Sequence, residues 1–215
     1  MKYISEIKNK ITAHFHVRLL LATILGIVLG ASIVFSSLQI VYHFSSQKSE
    51  DFKQMETSTA VPFKRSAPVQ LRIPKIKLDA SFEAPLGLKE DKTVEVPDSY
   101  EKVGWYVHGA TPGEKGTAVI LGHVDSYKGP AVFYSLPKLQ KGDDIFVTRE
   151  DGTTALFKVD ELHRYSQTNF PTEKVYGEND GSVLRLVTCT GTFDRGKQVY
   201  SHNLVVYATL VENSK

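Results

Sequence analysis

Two side chains in this sequence have the types and positions that thiol chemistry needs. Cys189, the one cysteine, ends the apolar run Val183-Leu184-Arg185-Leu186-Val187-Thr188 and is followed at once by Thr190-Gly191-Thr192. His123 follows the strongly apolar run Thr117-Ala118-Val119-Ile120-Leu121 across a glycine, in the short polar loop Gly122-His123-Val124-Asp125-Ser126. Both are therefore expected where strands end and loops begin, the usual place for functional groups on a rigid scaffold. A protonated thiol is a weak nucleophile, and an imidazole that accepts or shares its proton makes it a reactive thiolate. On the residues alone Cys189 keeps three readings: a buried inert thiol, an intermolecular bridge, or a nucleophile. A disulfide within the chain is excluded by the count. His123 reads either as a hydrogen-bonded loop residue or as the partner of that thiol.

Other chemistries find little support. Of the seven histidines, His14 and His16 precede a long apolar run and His43 sits at its outer end, leaving His108, His123, His163 and His202. None has His-x-x-x-His spacing and no Cys-x-x-Cys occurs, so no structural zinc site is expected, and no dense acidic cluster calls for calcium. There is no Gly-rich phosphate loop and no Gly-x-Ser-x-Gly elbow, so neither metal nor cofactor is expected. The 26 basic and 24 acidic residues leave a formal net charge of +2, too balanced to argue for nucleic acid.

The elements that must position these groups begin with a membrane segment. From Leu19 to Phe44 no Asp, Glu, Lys or Arg occurs, which exceeds the roughly 20 residues a helix needs to cross a bilayer. Lys2, Lys8, Lys10 and Arg18 precede it against Glu6 alone, so residues 1–18 are expected in the cytoplasm and the C-terminal part outside. The run is long for a signal peptide and no small-x-small cleavage site stands out after it, which favours an uncleaved single-pass anchor. Within the run, Gly26 and Gly30 have small-residue packing spacing, read as ordinary membrane-helix composition. Residues 45–67 are polar and charged without periodicity and read as an extracytoplasmic linker.

A folded domain is expected over 68–215, with 215 residues in all and 41% hydrophobic content enough for one core plus an appendage. Val69–Ile73 and Lys75–Ala80 alternate with period two, as half-buried strands do. Short strands follow at Thr93–Val96 and Val103–Tyr106, and Thr117–Leu121 reads as a strand buried on both faces. A helical turn is expected near Phe133–Leu139. Asp151-Gly152 between Asp144–Thr148 and Thr154–Val159 is a hairpin signal. Residues 160–164 extend a bent strand, Tyr165–Gly181 reads as irregular, and strands over Leu184–Cys189 and Asn203–Val211 complete the count. Eight or so short strands with few helices predict a mainly β domain, a closed or nearly closed barrel that hides its edges.

In order along the chain, several segments resemble one family. They are Leu71-Arg72-Ile73-Pro74-Lys75-Ile76, Val103-Gly104-Trp105-Tyr106, Gly122-His123-Val124-Asp125-Ser126, Gly129-Pro130-Ala131-Val132-Phe133-Tyr134, Leu186-Val187-Thr188-Cys189 and Asn203-Leu204-Val205-Val206-Tyr207-Ala208. Together they resemble the sortases, most like the class lettered F with class E close behind. The resemblance implies an eight-stranded sortase-like β-barrel with short helices, behind one N-terminal transmembrane helix, in a Gram-positive cell membrane. It implies a cysteine transpeptidase whose Cys189 attacks the carbonyl after threonine in a Leu-Pro-x-Thr-Gly-like signal and forms a thioester. An amine of a cell-wall precursor or pilin lysine then resolves it, with His123 as general acid and base. The implied partners are secreted proteins with a C-terminal sorting signal, that acceptor and the cytoplasmic membrane. Water as acceptor would make the chain a thiol protease or processing enzyme, and loss of chemistry would leave a peptide-binding barrel.

The family's third group is an arginine, commonly at the start of the last strand, and here that stretch reads Val199-Tyr200-Ser201-His202-Asn203. Arg195, in Phe193-Asp194-Arg195 on the connecting loop, is expected to take its place. Arg185 shares strand parity with Cys189 and stands second, with His202, or no side chain, as the remaining options. Asp125 is expected to orient His123 or to close an Asx turn. Thr188 is placed to position the thiol or substrate, and Trp105 and Tyr134 read as packing or rim residues.

Overall fold

The computed structural model describes residues 62–214. The transmembrane segment expected at 19–44 lies outside the described residues, among which no helix is long and apolar enough to cross a membrane.

Ten strands follow one another. They are β1 (Pro68–Ile73), β2 (Leu78–Ser81), β3 (Gly104–Trp105), β4 (Gly116–Leu121), β5 (Asp125–Ser126), β6 (Gly129–Pro130), β7 (Asp144–Arg149), β8 (Thr154–Ser166), β9 (Ser182–Asp194) and β10 (Val199–Ser214). Eight of them form one sheet in the order β2-β1-β7-β8-β10-β9-β4-β3, while β5 and β6 make a separate small hairpin. The sheet's two edges meet through one bridge between Phe82, just past β2, and Val103, just before β3. The architecture is therefore mainly β with few helices, as the strand pattern predicts, with the sheet curled into a half-barrel.

Alternation along the strands divides the apolar side chains between two cores. Ala118 and Ile120 of β4, Leu184 and Leu186 of β9 and Leu204 and Val206 of β10 face the inner core with Phe133 and Phe157. Val119, Leu121, Val187, Val205 and Tyr207 face a second cluster covered by Val175. Val175 lies on α1 (Thr172–Tyr176). Burial on both faces of β4 matches its continuous apolar sequence. The Asp151-Gly152 hairpin forms between β7 and β8, with Gly152 at φ +80° and the Asp151 carboxylate accepting from the Thr153 amide at 3.0 Å. The helical turn expected near 133–139 is a 3-10 turn at Leu136–Lys138.

Three expectations are corrected. Lys75–Ala80 is not one strand: Pro74–Ile76 is a 3-10 turn closed by Lys77 at φ +53°, and β2 starts only at Leu78. Pro74 is preset for that turn, which interrupts the alternation. Thr93–Val96 forms only a single bridge, Val94 to Leu88. Tyr165–Gly181 contains α1, too short for a helical period to be visible in sequence.

Residues 63–66, read as the end of the linker, dock on the sheet. The buried Arg149 stacks its guanidinium on Phe63 at 4.6 Å and donates to the Lys64 carbonyl. Ser66 accepts from the Asp151 amide at 3.1 Å, and the Phe63 amide donates to the Gly113 carbonyl at 2.9 Å.

Candidate active site

β4 and β9 run parallel, with Ile120 opposite Leu186 and Leu121 opposite Val187. Parallel pairing runs both strands the same way, so His123, just past β4, and Cys189 lie at the same end of their shared ladder. Cys189, expected where a strand ends, instead stands within β9, which continues past it to Asp194 because it stays paired with β10. The ladder continues one step further, since the Gly122 amide donates to the Val187 carbonyl at 3.2 Å. Thr188, buried, donates its hydroxyl to the Gly122 carbonyl at 2.8 Å. That bond ties the residue before Cys189 to the residue before His123. Gly122 is required there, because a Cβ would stand 2.8 Å from the Phe133 ring and 2.9 Å from Val132.

Cys189 is half-buried and, with His123, lines each of two adjoining grooves. The larger, about 1010 Å³, passes between the β5–β6 hairpin and the β9–β10 turn and includes Asp125, Tyr127, Arg195 and Tyr200. The other, about 560 Å³, is apolar, walled by Val94, Val96, Leu121, Phe170, Tyr176 and Val187.

Burial pushes the Cys189 thiol up from its ordinary value, and the negative charge of Asp125 pushes it further. The resting sulfur is therefore held as the protonated thiol. The His123 Nε2–H donates to the Pro97 carbonyl at 2.7 Å, and its ring packs on Tyr100 with centroids 4.7 Å apart. Asp125 does not orient His123 and closes no turn of its own loop: its carboxylate accepts from the Tyr200 hydroxyl. Burial and that carboxylate together push the Tyr200 phenol up to about 12.

The two candidate arginines have separate fates. Arg195 stands in the turn between β9 and β10, exposed, and lines the larger groove with Cys189. Its turn is shaped by the Asp194 carboxylate, which accepts from the Gly196 amide at 2.8 Å and the Lys197 amide at 3.1 Å. Arg185 does share the sheet face of Cys189, as parity predicts, but four residues of strand separate them by about 13 Å. It is buried over the Tyr207 ring at 4.4 Å, donates to the Leu184 carbonyl at 3.0 Å and lines neither groove. His202 hydrogen-bonds through Nδ1 with Ser201 Oγ at 2.7 Å and likewise lines neither groove.

Sequence reading missed Asn203 and Gln167. Asn203 is the cross-strand partner of Cys189 and lines the apolar groove; Gln167 lines both grooves. A register of β9 against β10 would have found Asn203, whereas nothing local marks Gln167. Trp105 is a packing residue, buried with its indole N–H donating to the Ala110 carbonyl at 2.9 Å. Tyr134 is exposed on the rim of a separate groove that reaches neither Cys189 nor His123.

A family model described as Sortase domain matches residues 71–211, more than half of the chain. Among solved structures, the chain is similar to sortase A of Listeria monocytogenes at 14% identity, with a TM-score of 0.54 and coverage of 71% of this chain and 91% of that one. It is similar to the SrtA sortase of Actinomyces oris at 20% identity, TM-score 0.53, covering 74% and 89%. It is also similar to a lid mutant of sortase A from Corynebacterium diphtheriae at 22% identity, TM-score 0.51, covering 69% and 72%. At these identities the likeness is one of fold. No curated protein matches the chain.

Proposed function

The chain belongs to the sortase family, whose members are in general cysteine transpeptidases, and we propose that Cys189 is its nucleophile and His123 its general acid and base. The observation that carries this reading is the placement of both residues at the junction of the two grooves. The apolar groove takes the sorting signal, a Leu-Pro-x-Thr-Gly-like segment of a secreted protein. The wider groove admits the amine of a cell-wall precursor or a pilin lysine. The ordered segments around Cys189 and His123 support class F, with class E second.

In the proposed cycle, Cys189 Sγ attacks the carbonyl carbon after threonine while its proton passes to His123. Collapse of the tetrahedral intermediate breaks the C–N bond, and His123 returns that proton to the departing amine, leaving a thioester. The acceptor amine then attacks the thioester, His123 takes its proton, and as the C–S bond breaks that proton passes to the leaving sulfur, restoring the thiol and the neutral imidazole. A thiol held in its neutral form suits this order, because proton transfer accompanies attack. Arg195 supplies positive charge to the oxyanion from its turn, in place of the arginine absent from the last strand. Residues 19–44 anchor the chain in the cell membrane with 1–18 inside, the linker from 45 spans the gap up to the docked residues 63–66, and the folded domain acts outside.

The test is acyl transfer by the full-length protein with a library of Leu-Pro-x-Thr-like peptides and an added amine, followed by mass. A peptide adduct on Cys189, resolved faster by amine than by water, is expected. Absence of any adduct overturns the enzyme reading, and resolution by water alone makes it a hydrolase. His123→Ala is expected to lower transfer by about a hundredfold to ten-thousandfold.

A further inference from the structure

His123 is held by a strap of chain, residues 97–100, of which Tyr100 lines the larger groove. Pro97 is buried, and its carbonyl accepts from His123 Nε2 at 2.7 Å. Tyr100 covers the ring, with an interplanar angle of 45°. The strap is itself fixed at two points. The Ser99 amide donates to the Glu83 carboxylate at 3.2 Å, and the Tyr100 carbonyl accepts from the Val132 amide at 2.9 Å. The next residue, Phe133, donates its amide to the His123 carbonyl at 2.9 Å. Backbone of one short segment thus holds both the strap and the histidine it orients.

A carbonyl oxygen can only accept, so this contact requires the proton on Nε2. In the neutral ring the lone pair then resides on Nδ1, and in the imidazolium the Pro97 carbonyl still accepts from Nε2. We propose that the Pro97–Tyr100 strap, latched by Glu83, is the positioning element of His123. It fixes the Nε2–H tautomer and confines proton exchange with the thiol and both amines to Nδ1. The arrangement performs the task that a carboxylate performs for many catalytic histidines. Here the available carboxylate, Asp125, is engaged by Tyr200 instead. Glu83 lines neither groove, so its influence on the reaction runs through Ser99 and the strap.

The proposal rests on His123 as the acid and base, but its first test does not depend on activity. Proton–nitrogen correlation spectra of the full-length protein with isotope-labelled histidine, at a pH where the ring is neutral, are expected to show His123 protonated at Nε2 and bare at Nδ1. A ring protonated at Nδ1 overturns the proposal whatever the enzyme does. Glu83→Ala, which removes the latch, is expected to give a mixed tautomer signal and to lower kcat about fivefold to tenfold, the value of one such hydrogen bond, with KM within about twofold. Glu83→Gln retains an accepting oxygen and is expected to restore both readouts. Tyr100→Leu, which removes the ring contact and leaves the latch, is expected to broaden the same histidine signal. Unchanged spectra and kcat in Glu83→Ala overturn the latch. Full transfer in His123→Ala, with the tautomer as stated, refutes the catalytic role and leaves the strap geometry standing.

Discussion

Leu121 and Val187 are partners in the β4–β9 ladder, and each stands two residues before a chemical group, His123 and Cys189. This is the one parallel ladder of the eight-stranded sheet; the other pairings are antiparallel. Antiparallel strands would send the residues that follow these two partners in opposite directions. Parallel pairing in this register brings 66 residues of sequence separation to one site, as the Thr188–Gly122 hydrogen bond shows.

Thr188→Val keeps the shape and removes the hydroxyl that donates to Gly122. The buried carbonyl then loses its partner, so stability is expected to fall by about 1–3 kcal/mol in urea denaturation. Because the same bond aligns the segments that carry Cys189 and His123, kcat is expected to fall more than KM rises. Unaltered stability would mean that the bond is not formed in solution.

Asp125 raises the Cys189 thiol by its charge, second to burial. Neutralising it in Asp125→Asn favours the thiolate, so the midpoint of iodoacetamide alkylation against pH is expected to move down. Tyr200→Phe keeps the carboxylate and removes its hydrogen-bond donor, so that midpoint is expected not to fall. A downward move in Tyr200→Phe equal to that in Asp125→Asn would assign the effect to the loop and not to the charge.

Arg195 and Arg185 are expected to separate into activity and stability. Arg195→Ala removes an exposed cation from the Cys189 groove, with turnover falling on the order of a hundredfold and thermal stability nearly unchanged. Arg185→Ala empties a buried site under Tyr207. Its cost is expected in denaturation, about 1–3 kcal/mol, with the smaller loss of turnover. Kinetics and melting curves on both variants decide it, and the reverse ranking would give Arg185 the electrostatic role.

Arg149 is buried between Phe63, Lys64 and Thr153, whose hydroxyl accepts from it at 3.2 Å. Arg149→Ala is expected to release residues 63–66 from the sheet, reading as faster proteolysis there, while acyl transfer by the full chain is unchanged. Equal proteolysis rates would show that the docking does not depend on this side chain.

Much of the fold was legible because its signals are local. β4 announces itself by a run apolar on both faces, β7 and β8 by the Asp151-Gly152 turn, and β1 by strict alternation. What escaped were elements decided by few residues: the 3-10 turn at Pro74, the single bridge at Val94 and the one-turn helix α1. The turn is set by Pro74 and Lys77 inside an otherwise alternating run, while the bridge and α1 depend on partners remote in sequence, which no window of sequence contains.

For the site, sequence alone determined the chemical inventory: one thiol and one loop histidine, each just past an apolar run, and an arginine missing from Val199–Asn203. It also placed Arg185 on the face of Cys189, since parity is a local property of a strand. Tertiary structure decided the rest, because distance and partnership depend on register between strands remote in sequence. It put Arg185 about 13 Å away along the strand, gave Asp125 to Tyr200, set Asn203 opposite Cys189, and handed the orientation of His123 to a backbone carbonyl. A carbonyl is the same group in every residue, so sequence carries no mark of the one that holds the histidine.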